Sequence, residues 1–552
     1  MKISLKSRIV SALAVTALAG TVVVGAPSAA NAAPACSTAS FVTSCVGVGA
    51  DGAPYTFIAA ANFNGTVFLY SHGLRPAIPI PATLGVPLGF GGAVPVTNAA
   101  EPAPRAIDGD MSVINKLVAA GYGVAGSGFS RQGINATEAL AANKELIATF
   151  KTKFPTTSKV IAWGQSLGAL HAQKLAETNP ELVDGVILAC PAANPSGAII
   201  DYFGDALWGF KALFDPSIKV GGYSTDPVVR AGEQLLNIQK ILVVLGSLSA
   251  NVANTDAKTS WPATASPAGK ALAAAGIPSR SAVVLVGLMA GVPTRSEHID
   301  GTSAPSAATA ESYPLAAAPA IAVLENMGKT LNYGTFLNAD GELLAGGKIF
   351  DNTKTDYAAR VASDADIYSF ALSGNSAVAA MIGALAATPR ETADPAAVAK
   401  ISALFGLSGK IAKPTVIFQN ETDSFVPASI VQWYVDNYAE QYAAEKLAAM
   451  TAAKKSRSYV APTNNLVTLW QKTAAKYSKF TATGAPDTTA TRGAGTGHCD
   501  FSAAQWLAAA DLMTATLKDG KFPLGGKIAT TARKVGLSYD NKFRVPTFKA
   551  LQ

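Results

Sequence analysis

The sequence predicts an α/β fold, a mostly parallel central sheet with helices on both faces. Three observations point there. Between Pro54 and Ala189, β-rich runs alternate with segments of helical length and periodicity, as the crossover connections of a parallel sheet require. A Gly-Gln-Ser-Leu-Gly turn, Gly164 to Gly168, stands where one such run gives way to a helix. The alternation stops at Cys190 and resumes at Thr415–Gln419, leaving residues 191–412 as a large, mainly helical insertion.

Taken from the N-terminus, Lys2, Lys6 and Arg8 precede the apolar run Ile9 to Gly25 and the small-residue site Ala30-Asn31-Ala32. That is the pattern of a secretory signal over residues 1–32. A membrane anchor made of the same residues is the rival, disfavoured because the run is short for a span. The segment "PYTFIAAANFNGTVFLYSHG" reads as two strands in a hairpin about Asn64-Gly65. After a Pro/Gly-rich loop, Pro76 to Pro104, "MSVINKLVAAGYGVAGSG" reads as an amphipathic helix leading through Gly121 into a short strand. Then come a helix from about Thr137 to Phe154, strand Val160–Trp163, the glycine-flanked serine, a helix to about Thr178, and strand Gly185–Ala189.

The insertion has no clear repeat. Its apolar segments "ALWGFKALF", "ILVVLGSL" and "AVVLVGLMAGV" are too short to span a bilayer and are expected to be helices packed on one another. They form either the core of an inserted domain or a lid lining an acyl or aromatic pocket.

The chain carries a net charge of +7, and loss of residues 1–32 removes three positive charges and no acid, leaving about +4. No Lys/Arg run interleaved with aromatics remains, so nucleic acid is not an expected partner. Export permits disulfides. Cys36, Cys45, Cys190 and Cys499 allow three pairings, of which loop closure favours Cys36 with Cys45. No residues have metal-ligand spacing, and no phosphate-cradling loop is followed by Lys-Ser/Thr, so neither a metal nor a cofactor is expected.

With 49 glycines in 552 residues, a serine flanked as Ser166 is should arise roughly 0.3 times by chance, so its context decides. An apolar strand leads in and a helix leads out. Small residues two before and two after permit a sharp turn, and the helix N-terminus places N–H groups where an oxyanion forms. A serine hydroxyl needs a base. His171 lies within the following helix and reads as a surface or packing residue. His298, in "TRSEHIDG", reads as a solvated loop residue with a substrate contact as the alternative, and His72, in "LYSHGLRP", marks a strand end. His498, in the Gly-rich loop "GAGTGHCDF" before a helix, is the expected base. Asp423, in "NETDSFVP" after strand Thr415–Gln419, lies at the ligand-facing edge of a parallel sheet and is the expected carboxylate partner, with Glu421 as rival. Arg131, in "GYGVAGSGFSRQG", is expected in a salt bridge, with a substrate carboxylate as the alternative.

The order Ser166, Asp423, His498 on alternating strands and helices resembles the α/β-hydrolase superfamily, with "SHGL" as oxyanion loop, "GQSLG" as nucleophile elbow, "DSFVP" as acid loop and "GHCDF" as base loop. The resemblance implies a core from residues 33–190 and 413–552, a cap from 191–412, and oxyanion donors in the backbone N–H groups of Leu74 and Leu167. The His498-Cys499 pair also resembles the tannase and feruloyl-esterase branch, where a disulfide ties the residue before the nucleophile to the residue after the histidine. Gln165 precedes Ser166 here, so that bridge cannot form. A Cys190–Cys499 bridge, holding the histidine loop against the sheet, is the expected substitute, against two buried thiols. The implied function is a secreted serine hydrolase acting on a small-molecule or polymeric carboxylic ester. An exopeptidase on the same fold is the alternative, and a non-catalytic binding protein the third reading.

Overall fold

The computed structural model describes residues 33–85, 88, 91–107, 111–192, 197–305, 312–456 and 458–551. The segment expected to be a secretory signal lies outside them.

Among the described residues nine strands form one sheet: β1 (Ala35–Ala39), β2 (Val42–Val48), β3 (Pro54–Ala60), β4 (Thr66–Ser71), β5 (Gly123–Ser127), β6 (Lys159–Gln165), β7 (Gly185–Ala189), β8 (Thr415–Asn420) and β9 (Leu466–Gln471). Their order is β1-β2-β3-β5-β4-β6-β7-β8-β9. The first three are antiparallel neighbours and β3 is antiparallel to β5, while the pairs from β5 through β9 are parallel. With crossover helices on both faces, this is the α/β-hydrolase fold.

The central strands read as near-continuous apolar runs because both of their faces are covered. In β6, Val160 and Ala162 face one core and Ile161 and Trp163 the other, the two-residue period of a strand. Helices Ala136–Lys153 and Leu167–Thr178 pack on the first side, and Ser112–Ala119 and Ala503–Asp519 on the second. Helix Ala503–Asp519 begins in a capping box between Ser502 and Gln505 and buries Trp506, Ala509, Ala510 and Met513, one stripe at helical spacing. Trp163 sits among Phe68, Tyr70 and Trp506 with ring centroids 5.0, 5.9 and 5.6 Å away. Its truncation to Ala should cost about 3–5 kcal/mol.

Strands β3 and β4 do not form the expected hairpin, because β5 lies between them. The Asn64-Gly65 turn serves other neighbours. Asn64 N–H donates to the Gly121 carbonyl, and the Gly65 carbonyl accepts from Ser158 and Lys159. The hairpins among the described residues are β1–β2 and β2–β3, and the first turns through Ser40 and Phe41, both with positive φ. The Cys36–Cys45 disulfide crosses it at directly paired positions, with Cα atoms 4.0 Å apart.

Between β7 and β8 the chain is helical. Helix Ala318–Ala345 packs on Ala198–Leu213, Pro227–Ala250 and Ser279–Ala290. Helix Ser279–Ala290 is buried all round, which explains why its sequence lacks a polar stripe. The same apolar cluster continues from these helices to one face of the sheet. Among the described residues no helix is long and apolar enough to cross a membrane.

Candidate active site

Strand β6 carries Ser166 to the carboxyl edge of the sheet, where the chain reverses into helix Leu167–Thr178. Ser166 has φ 55° and ψ −123°, a region side chains seldom occupy unless their surroundings hold them there. Its N–H donates to Ala189 at 2.9 Å and its carbonyl accepts from Ala192 at 3.1 Å. A Cβ on Gly164 would strike the Gly168 carbonyl, and one on Gly168 the Ser71 carbonyl. Close packing of helix, elbow and β4 therefore requires both glycines.

His498 and Ser166, far apart in sequence, meet at this edge with Nε2 and Oγ 2.8 Å apart. His498 Nδ1 lies 2.8 Å from Asp423 Oδ2. A carboxylate only accepts, so Nδ1 carries the hydrogen and Nε2 turns its lone pair on the serine hydroxyl. Asp423 is fully buried. Its Oδ1 accepts from the N–H groups of Phe425 and Val426, both at 2.9 Å, which fixes the carboxylate without a second charge. The histidine loop is pinned by Asn420, whose amide donates to the Thr496 and Gly497 carbonyls, and by the Cys190–Cys499 disulfide, Cα atoms 5.4 Å apart. Phe425 stands edge-on to the imidazole at 4.6 Å and limits its rotation.

The loop after β4 brings Gly73 against Ser166 and Gln165. His72 is buried, and its Nδ1 lies 2.7 Å from the Gly73 carbonyl. Burial, then the charge of Arg75, lowers its pKa to about 4, so at neutral pH it is an uncharged donor. Because a trans peptide points its carbonyl and N–H in opposite directions, holding the Gly73 carbonyl aims the Leu74 N–H away from His72. Leu167 begins the elbow helix, where the first N–H groups have no intrahelical partner. Sequence reasoning reached the N–H groups of this loop but missed the role of the histidine that orients one of them.

His171 is a packing residue, fully buried and edge-on to Phe129 at 5.4 Å, with burial lowering its pKa to about 3. His298 departs from its expected solvated state. Its Nδ1 lies 2.5 Å from Glu325 with the side chain 12% exposed, and the Glu325 hydrogen bond raises its pKa. Glu421, the rival acid, accepts from the Thr473 N–H and does not meet His498. Arg131 pairs with Asp340, Nη2 to Oδ1 at 2.5 Å, and that carboxylate also accepts from the Ile134 N–H. Among the described residues two groupings bring metal-ligand atom types together: Cys190, His498 and Cys499, and Glu297, His298 and Glu325. The sulfurs of the first are bridged, and Glu297 of the second already binds Lys329 and Arg492.

A cavity of about 300 Å³, within the range of small-ligand sites, lies between the loop after β4, the segment that follows β5 and helices of the insertion. Its lining includes Leu74, in the loop after β4, and Tyr333, whose ring lies 4.3 Å from Phe425, the residue that abuts His498. Most of its lining is apolar.

A model of the family described as serine aminopeptidase, S33, matches residues 113–264, a stretch that includes Ser166 but neither Asp423 nor His498. The chain is similar to the solved structure of feruloyl esterase B from Aspergillus oryzae, at 12% identity over 87% of this chain and 82% of that one, with a TM-score of 0.34. It is similar to an esterase from Aspergillus oryzae, at 12% identity over 87% and 80%, TM-score 0.32. It is also similar to a ligand-bound form of the rice cell wall degrading esterase LipA from Xanthomonas oryzae, at 12% identity over 78% and 82%, TM-score 0.27. No curated protein matches the chain.

Proposed function

We propose that this α/β-hydrolase is an exported serine esterase that cleaves carboxylic esters through an acyl-enzyme on Ser166. The observation that carries the reading is the unbroken path Ser166 Oγ, His498, Asp423, each link 2.8 Å, at the carboxyl edge of a parallel sheet. His498 takes the serine proton as Oγ attacks the ester carbonyl. The N–H groups of Leu74 and Leu167 receive the oxyanion, and Asp423 stabilises the imidazolium. The alcohol leaves with the proton from His498, and water repeats the cycle on the acyl-serine. Export is supported by the charged-then-apolar segment 1–32 and by two disulfides, which suit an oxidising compartment.

An exopeptidase is the second reading, favoured by the match to the aminopeptidase family. Such an enzyme needs a free carboxylate to hold a substrate amine. The acid that lines the cavity, Asp340, has its oxygens engaged by Arg131 and Ile134, which favours the ester. The two are separated by steady-state rates on p-nitrophenyl esters of graded chain length and on aminoacyl p-nitroanilides. The ester series should dominate in kcat/KM at every length, and faster anilide turnover would transfer the assignment to the exopeptidase.

A further inference from the structure

The cavity that has Leu74 in its wall carries more positive than negative charge in its lining. Three arginines line it. Arg75 pairs with Glu101 at 3.0 Å and Arg131 with Asp340. Arg230, on helix Pro227–Ala250, is 8% exposed. Its Nη1 reaches two neutral carbonyls, Ser224 at 3.5 Å and Thr225 at 3.4 Å; its charge acts on Asp340, but no carboxylate of the described residues comes within ion-pair distance. One helical turn on, Gln234 lines the same cavity at 4% exposure and makes no hydrogen bond among the described residues.

A buried guanidinium without a close counter-ion is costly, and Asp340, the carboxylate in these walls, is already paired with Arg131. That cost is relieved by an occupant that brings an anion. The planar fork of arginine suits a carboxylate, to which it donates two parallel hydrogen bonds. Most of the remaining lining, with Leu74, Ile78, Phe336 and Leu337 in it, is apolar, and Leu74 belongs to the loop proposed to hold the oxyanion. We infer that this cavity receives a substrate arm that is apolar along its length and ends in a carboxylate held by Arg230 and Gln234. The substrate class is then the ester of a molecule carrying a second, free carboxyl group, such as a monoester of a dicarboxylic acid. This inference deepens the esterase reading and rests on it for its kinetic test. The Arg131 side chain, which sequence reasoning offered as an alternative carboxylate contact, is occupied by Asp340; the unpaired arginine comes from the insertion.

The test compares p-nitrophenyl monoesters of dicarboxylic acids from adipate to sebacate with the same compounds capped as methyl esters, so that only the terminal charge differs. The wild-type enzyme should prefer the free acid by about ten-fold or more in kcat/KM at one length or more, through KM. Arg230→Gln should reduce that preference about ten-fold, Arg230→Lys should retain part of it, and Gln234→Leu should weaken it less. No preference in the wild type, or an undiminished preference in folded Arg230→Gln, overturns the inference. Should Arg230→Gln not fold, the wild-type and Gln234→Leu comparisons decide alone. If neither ester series is turned over, the esterase reading fails, and titration calorimetry with free adipate judges the carboxylate site separately. Binding by the wild type that is lost or weakened in the variants supports it, and no binding overturns it.

Discussion

The carboxyl edge of the sheet and the helical insertion build their parts of the site in different ways. At the edge, Ser166 and Asp423 are placed by residues within a few positions, glycines about the one and two N–H groups on the other, while the His498 loop is pinned from Asn420 and Cys190. The cavity wall joins the insertion to the core, as when Arg131 meets Asp340 across 209 residues. Local stretches thus place the candidate nucleophile and acid, and packing between distant ones places the candidate base and the cavity.

The comparison is tested hardest at the edge. Asp423→Asn should retain the fold yet lower kcat about 10⁴-fold, because the amide presents a donor where the imidazole needs an acceptor; stopped-flow and steady-state assays with p-nitrophenyl esters measure it. Next in size is the Cys190–Cys499 bridge. Replacing both residues by Ala should cost about 2–4 kcal/mol in denaturant unfolding and lower kcat, since the bridge anchors the loop that holds the base. The same replacement of Cys36 and Cys45, at the far edge of the sheet, should leave kcat unchanged. Equal losses from both pairs would break the contrast between the two locations.

The smallest effect concerns two buried histidines, His72 in the loop after β4 and His171 in helix Leu167–Thr178. Their folded pKa values, about 4 for His72 and about 3 for His171, lie below the ordinary value near 6.5. The unfolded chain therefore binds protons that the folded chain refuses, and stability falls as pH drops from about 6.5 toward 4. His171→Phe should shrink the stability difference between pH 8 and pH 5 by about 1–2 kcal/mol. An unchanged difference would show that His171 does not contribute to the acid limb.

What was legible in the sequence follows the same division. The elbow, the acid loop and the base loop announce themselves because glycines and strand ends constrain backbone within a few residues. Pairing between strands is less visible. Asn64-Gly65 has hairpin chemistry, yet its strands are separated by β5. The β1–β2 turn, built by Ser40 and Phe41 at positive φ, carries no glycine to reveal it. His298 reads as a solvated loop residue because Glu325, which buries and binds it, lies on another segment of the insertion. Arg230 is likewise an ordinary helix residue in sequence. Its lack of an ion pair among the described residues is a property of the folded cavity alone.

The central claim is that Ser166 is the nucleophile. The most direct measurement is intact mass after reaction with a fluorophosphonate, followed by peptide mapping, on the wild type and on folded Ser166→Ala. The account predicts one adduct per wild-type chain, on the peptide containing Ser166, with parallel loss of ester hydrolysis, and neither labelling nor hydrolysis in the variant. Labelling elsewhere, or ester hydrolysis by Ser166→Ala near the wild-type rate, would contradict it.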